Sequence, residues 1–145
     1  SGNVNQDLLQ QLSGLDFYKA SYPKSLGMEF VNAEIFPLIH SFLIDVKDKL
    51  RTFVEHIAIQ IAKICDKPLA KLFITGGGAY NRFLIERLRN YLPTTEVVIP
   101  DDKTIQFKEA LIFAFLGVLR LRNEINVLSS VTGAIKNHSS GVVFM

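Results

Sequence analysis

The sequence predicts a helix-rich α/β fold with a small mixed sheet, and three observations carry that prediction. A short apolar run, Leu72-Phe73-Ile74, ends in Gly76-Gly77-Gly78 and gives way to a helical pattern after Asn81, so strand, bend and helix follow one another. A second β-branched run, Glu96-Val97-Val98-Ile99, begins once Pro93 has stopped that helix. Long helical patterns over 46–65 and 108–122 flank these strands, and helices alternating with strands argue for α/β layering.

In chain order, residues 4–15 place Leu8, Leu9, Leu12 and Leu15 at helical spacing, with Gly14 weakening the last turn. Residues 16–27 read as a loop bent by Pro23 and Gly27, and 28–36 as a short helix that Pro37 stops. Between 46 and 65 a stripe of Val46, Leu50, Phe53, Val54, Ile57, Ile61, Ile64 and Cys65 predicts an amphipathic helix capped by Asp45. Glu55 falls on its polar side and His56 at the edge of the stripe. Pro68 ends the connection to the first strand. In the helix after Asn81, Leu84, Ile85, Leu88, Tyr91 and Leu92 form the apolar side, while Arg82, Glu86, Arg87 and Arg89 read as a solvated rim. Residues 108–122 are apolar nearly all round from Ala110 to Leu119, which predicts a helix covered on both sides. Beyond Asn126, Ser130 to Ala134 read as loop and Gly141-Val142-Val143-Phe144 as a terminal strand.

Composition bounds the function. A chain of 145 residues with 48% apolar residues and eleven Phe has material for one domain with a bulky interior, and the apolar excess also suits a surface that a neighbouring lobe covers. The net charge of +2, with no basic stripe interleaved with aromatics, argues against a nucleic-acid partner. The apolar run at 110–119 is about half the roughly 20 residues that span a bilayer, so no membrane partner is expected. Cys65 is the single cysteine, and His40, His56 and His138 are scattered, so neither a disulfide framework nor a zinc cluster is expected and a reducing cytoplasm fits. The first residues show no secretory signal pattern.

Two places invite chemistry. Three consecutive glycines at the end of a strand remove every Cβ from the bend, so a flat ligand group can lie against backbone, and Asn81 caps a helix whose first N–H groups favour an anion. The same residues serve equally well as a bare strand-to-helix turn, because neither the lysine-bearing phosphate loop nor the spaced dinucleotide fingerprint is present. Glu109, just before the apolar run, reads either as an acid complementing the start of a helix or as a carboxylate held at the mouth of a cleft.

Four segments, in register, then resemble one family. Gly2-Asn3-Val4-Asn5 leading to Leu8-Leu9, Pro23-Lys24-Ser25-Leu26-Gly27-Met28-Glu29, Gly76-Gly77-Gly78-Ala79-Tyr80-Asn81, and Lys108-Glu109-Ala110-Leu111 with Ser130-Val131-Thr132-Gly133-Ala134 are similar to the C-terminal half of anhydro-N-acetylmuramic acid kinases. The resemblance covers essentially the whole chain. It implies a ribonuclease H-like lobe of the actin and sugar-kinase ATPase superfamily, in an enzyme that opens the 1,6-anhydro ring and moves the ATP γ-phosphate to O6 of the sugar in murein recycling.

Carried over by residue, Gly76, Gly77, Gly78, Ala79 and Asn81 match the loop that lies against the adenosine part of ATP. Glu109 matches a glutamate that faces the anhydro-sugar, which favours the cleft reading for it. Lys24 and Ser25 belong to a matching loop in which Leu26 replaces a common Thr, so a role needing that hydroxyl is not available here. The resemblance places the phosphate loop and the aspartate base in an N-terminal lobe that residues 1–145 do not include, and Mg²⁺ on the phosphates and on groups of that lobe. The implied partners are ATP, the anhydro-sugar, the chain's own N-terminal lobe and a second copy in a homodimer. The alternative from another class is a non-catalytic module that binds a nucleotide or a partner with the same half-fold.

Overall fold

The computed structural model describes residues 2–21, 24–65 and 70–144, so the expected turns at Pro23 and Pro68 lie outside the described residues. The chain forms two compact units, Ser1–Ile99 and Pro100–Met145.

In the first unit, Asn5 accepts a hydrogen bond from Leu8 N at 2.8 Å and starts α1, Gln6–Gly14. Residues expected to be loop form a single turn, α2, Asp16–Lys19. The next helix begins as α3, Met28–Phe30, and Pro37 does not stop it. The turn over Val31–Ile35 widens, with Phe36 N donating to Val31 O five residues back, and helical structure continues as α4, Phe36–Ser41. Pro37 has no N–H to give to a carbonyl of the preceding turn, and the widened turn just before it is where the helix accommodates the proline. Leu8 and Leu12 of α1 bury against Ile35 and Ile39, with Phe30, Val31 and Phe53 around them.

The long helix α5, Val46–Cys65, has the expected bounds, and Asp45 Oδ1 accepts from Lys47 N at 2.7 Å as its cap. Its buried face differs from the expected stripe. Val46, Leu50 and Ile64 are exposed, whereas Thr52, Glu55, His56, Ala58 and Ala62 are buried. The reason is that α5 is gripped on two sides. The N-terminal segment and α1 approach Thr52 and His56, with Asn5 N donating to Thr52 Oγ1 at 2.9 Å. On the other side Ala58 and Ala62, small enough for close approach, meet Ile85, Leu88 and Leu92 of α6, Arg82–Tyr91. The larger residues of the stripe, Phe53, Ile57, Ile61 and Ile64, line a cavity of about 560 Å³ with Phe17, Tyr18, Val31 and Ile35, and Phe53 and Ile61 also flank the α1 and α6 clusters.

The sheet described is two-stranded and parallel, not mixed. β1, Lys71–Phe73, pairs with β2, Glu96–Val98, in the register Lys71↔Glu96, Leu72↔Val97 and Phe73↔Val98. Helix α6 makes the crossover between them, as a parallel pair requires. The alternation of a strand turns Leu72, Ile74, Val97 and Ile99 onto the α5–α6 core, and Cys65 sits half-buried against the same cluster, as a small core residue.

The second unit is built on α7, Asp102–Leu121. It starts two turns earlier than residue 108, because Asp101 caps it by accepting from Thr104 N at 2.7 Å. The expected burial of 110–119 is not found: Leu111 and Phe113 are each 71% exposed, and Ile105 alone of the helix is buried. A short returning segment cannot cover both sides of an apolar helix. That segment forms a turn, α8, Ser129–Thr132, where loop was expected, and Gly133 closes it with φ 73°. An isolated antiparallel bridge joins Val127 and His138, and 141–144 do not form the expected strand. Arg120 Nε donates to Gly141 O at 2.8 Å and ties this segment back to α7. No helix among the described residues is long and apolar enough to cross a membrane.

Candidate functional site

The glycine bend is where the sequence placed it, at the C-terminal end of β1. Gly76 has φ 78° and ψ −175°, a conformation open in practice to glycine alone. The chain then makes one 3₁₀ turn, Gly77–Tyr80, held by Ala79 N donating to Gly76 O at 3.0 Å and Asn81 N to Gly78 O at 3.1 Å. Ala79 is buried and roots the turn, while Gly77 and Gly78 are exposed. A Cβ built on Gly76, Gly77 or Gly78 would meet nothing within 4 Å. The fold itself therefore has no steric need for glycine at 77 or 78, and backbone there is open to whatever lies against it. Asn81 closes the turn and caps α6, its Oδ1 accepting from Leu84 N at 3.1 Å, as the sequence suggested. The N–H groups of Arg82 and Phe83, in the first turn of α6, have no carbonyl four residues back within the helix. Gly76, Gly77, Gly78, Ala79 and Asn81 thus come together in one turn at a helix start, with Gly77 and Gly78 exposed and Ala79 buried.

Glu109 belongs to the second unit. It is the eighth residue of α7 and exposed, two turns from the helix start. Interaction with a helix dipole fades beyond the first turn, so the dipole reading of Glu109 is removed. In the same unit Ser129 N and Oγ both contact Asn137 Oδ1, at 2.8 and 2.9 Å, and Ala134 N donates to Thr132 Oγ1, which fixes the 129–134 turn internally. Lys24 turns inward: Nζ donates to the carbonyls of Phe17 at 2.9 Å and Tyr18 at 3.4 Å and lies over the Phe17 ring. Ser25 is exposed. Among the described residues no three of His, Cys, Asp and Glu gather where they could hold a metal ion.

Among the described residues two ionisable groups, Glu55 and His56, are buried where helical spacing placed them on the polar side or at the edge of the stripe. The first is Glu55. Arg87, expected on the solvated rim, reaches across to it with Nε 2.9 Å from Oε2 and Nη2 2.7 Å from Oε1, and Arg51 and Tyr91 donate to the same carboxylate. Burial by itself raises the carboxyl's pKa, but the hydrogen bonds from Arg87, Tyr91 and Arg51 prevail and bring it down to about 2. An Arg51–Glu55 spacing of four residues was legible, whereas the cross-helix partners were not.

The second is His56, which is 1% exposed. Its Nε2 lies 2.9 Å from Tyr18 Oη and its Nδ1 3.4 Å from Ser13 Oγ, joining α5 to α1 and α2. Burial, with a smaller push from Lys63, lowers its pKa from 6.5 to about 4. The unfolded chain thus takes up this proton before the folded one. The stability tied to neutral His56 is complete above pH 6.5 and is lost as pH falls towards 4. Glu55, also depressed, gives up its share lower, between about pH 4.5 and 2. The thermal midpoint is therefore expected to begin falling near pH 6.5, and His56→Gln to flatten the limb between 6.5 and 4 while leaving the lower limb. A midpoint indifferent to pH over that upper interval would show that His56 is not held neutral.

Over residues 1–145 the chain matches the family described as anhydro-N-acetylmuramic acid kinase. Curated proteins with that name from Aliivibrio fischeri and Vibrio parahaemolyticus are each 33% identical to it, over 151 and 150 residues, and one from Hahella chejuensis is 34% identical over 149. Each alignment takes in 99% of this chain but 41%, 40% and 40% of the respective relative. The chain spans about two-fifths of the length of the curated relatives it matches.

Proposed function

This chain belongs to the anhydro-N-acetylmuramic acid kinase family, and from that premise we propose that it is the C-terminal, nucleotide-binding lobe of an ATP-dependent kinase acting on 1,6-anhydro-N-acetylmuramic acid. The observation that carries the reading is the open glycine bend at the end of a parallel strand, leading into a capped helix, in a chain that matches a kinase family from end to end. Gly77 and Gly78 offer a flat, side-chain-free wall on which an adenosine can lie, and Asn81 holds the first turn of α6 in place beneath it. Glu109 would accept a hydrogen bond from the sugar. Water would add at C1 as the C1–O6 bond breaks, and O6 would take the γ-phosphoryl group of ATP, with ADP leaving. The phosphate loop, the aspartate base and the groups that share Mg²⁺ with the phosphates belong to an N-terminal lobe, so 1–145 alone would be inactive.

On this reading the fold is a ribonuclease H-like lobe of the actin and sugar-kinase superfamily, and the protein works in the cytoplasm in murein recycling. The exposed apolar residues of α7 suit a chain that has a further lobe to meet.

The test is to incubate the full-length protein with ATP and 1,6-anhydro-N-acetylmuramic acid. ADP and one sugar 6-phosphate should form in equal amounts, each only when both substrates are present. Nucleotide binding without turnover would favour the non-catalytic module, and absence of nucleotide binding would remove the kinase and leave only a module that binds a partner. In the same assay Glu109→Gln is expected to lower kcat/KM for the sugar about 10- to 100-fold, the loss of one charged hydrogen bond, while the nucleotide affinity stays within twofold. Unchanged turnover of the sugar would end the role given to Glu109.

A further inference from the structure

The Glu55 cluster has geometry beyond what joining two helices requires. Ala58 and Ala62 against Ile85, Leu88 and Leu92 already hold α6 on α5, but apolar contact is non-directional and lets one helix slide or turn on the other. The Glu55 carboxylate, with only 5% of its side chain exposed, is directional. The planar fork of Arg87 engages both its oxygens, at 2.9 and 2.7 Å, and Tyr91 donates from the same face of α6 one turn on. Arg51, bound to the same carboxylate from within α5, stacks its guanidinium 4.8 Å from the ring centre of Phe83. Phe83 is the second residue of α6, two positions after Asn81, which both closes the glycine turn and caps the helix. A chain of contacts thus runs from Glu55 through Arg51 to the first turn of α6, and through Arg87 and Tyr91 to its middle and end.

Burying a carboxylate costs free energy that a well-packed apolar side chain of similar volume would avoid, and one known return on that cost is a unique alignment of elements. From this geometry we infer that Glu55 is a positioning residue for the nucleotide wall: by fixing the rotation and axial register of α6 through Arg87, Tyr91 and Arg51, it sets where Gly77 and Gly78 stand. The inference rests on the nucleotide reading of the glycine bend.

Steady-state kinetics of the full-length protein test it, with Glu55→Gln and Arg87→Lys. The first removes the charge that orders the donors. The second keeps a cation beside Glu55 but loses the bidentate fork, so it disturbs the fold less than Glu55→Gln does. Both are expected to raise KM for ATP about tenfold or more while KM for the sugar stays within twofold. A role confined to stability predicts another pattern: a smaller folded fraction lowers the apparent kcat and leaves both KM values alone. That pattern in Arg87→Lys would overturn the inference. Gly77→Val, measured alongside, separates the two layers. If it weakens ATP binding while Arg87→Lys does not, only the positioning role falls; if ATP binding survives Gly77→Val, the nucleotide wall falls and the positioning role with it.

Discussion

Gly77→Val is expected to leave the fold intact and to cost the full-length protein its nucleotide affinity by at least 100-fold. The two halves of that expectation come from different observations. A Cβ at Gly77 meets no atom within 4 Å, and the residue does not need the left-handed conformation, which the bend assigns to Gly76. The thermal midpoint should therefore stay within a few degrees of the parent. An isopropyl group on the open side of the turn would, however, stand between backbone and an adenosine lying on it, and a loss of 100-fold corresponds to about 2.8 kcal/mol of contact forgone or strain imposed. Titration with a fluorescent adenine nucleotide reads the affinity and a melting curve reads the fold. Gly76→Ala is the counterpart. There even one methyl group forces a non-glycine residue into φ 78°, ψ −175°, a cost of about 1–3 kcal/mol, so stability should fall whether or not a ligand ever binds. Unchanged nucleotide affinity in Gly77→Val would return the bend to a bare turn.

Arg87→Met should be the most destabilising single change in the first unit outside its apolar core, at about 3 kcal/mol in denaturant unfolding. The carboxylate of Glu55 would keep Arg51 and Tyr91 but lose its two-pronged partner, and a buried charge left short of partners costs more than the pair was worth. Replacing both partners, in Glu55→Leu with Arg87→Met, should recover most of the loss, since apolar side chains of similar size have no charge to compensate. The acid limb assigned to Glu55, below about pH 4.5, should then disappear with it. A loss within the roughly 0.5 kcal/mol of an ordinary surface substitution would show that Arg87 belongs on the solvated rim where its spacing put it.

The sequence by itself determined the parts governed by neighbours along the chain. The α/β class, the strand–glycine–helix unit, the caps at Asp45 and Asn81 and the bounds of α5 all follow from local rules, because a cap or a φ is decided within four residues. Pro37 was misread for a related reason. A proline usually breaks a helix in its interior, and the widened turn at Val31–Ile35 that accommodates Pro37 carries no local signature. Asp101 as the start of α7 could have been read from the acid pair after Pro100, and reading it would have separated Glu109 from the helix dipole at once.

The apolar sides read for α1 and α6 are the ones that pack, but tertiary structure alone decided which face of α5 is buried. Periodicity gave α5 a stripe of bulky residues, yet the faces that α1 and α6 chose were those with Thr52 and His56 and with the small Ala58 and Ala62. Helices close most tightly where side chains are short, and a polar group tolerates burial when partners come to meet it. Those partners for Glu55 lie 32 and 36 residues away, at Arg87 and Tyr91, and no spacing rule reaches that far. The glycine wall could be seen in the sequence because glycine is a local statement about backbone. What aims that wall could not, because it is a buried charge satisfied from another helix.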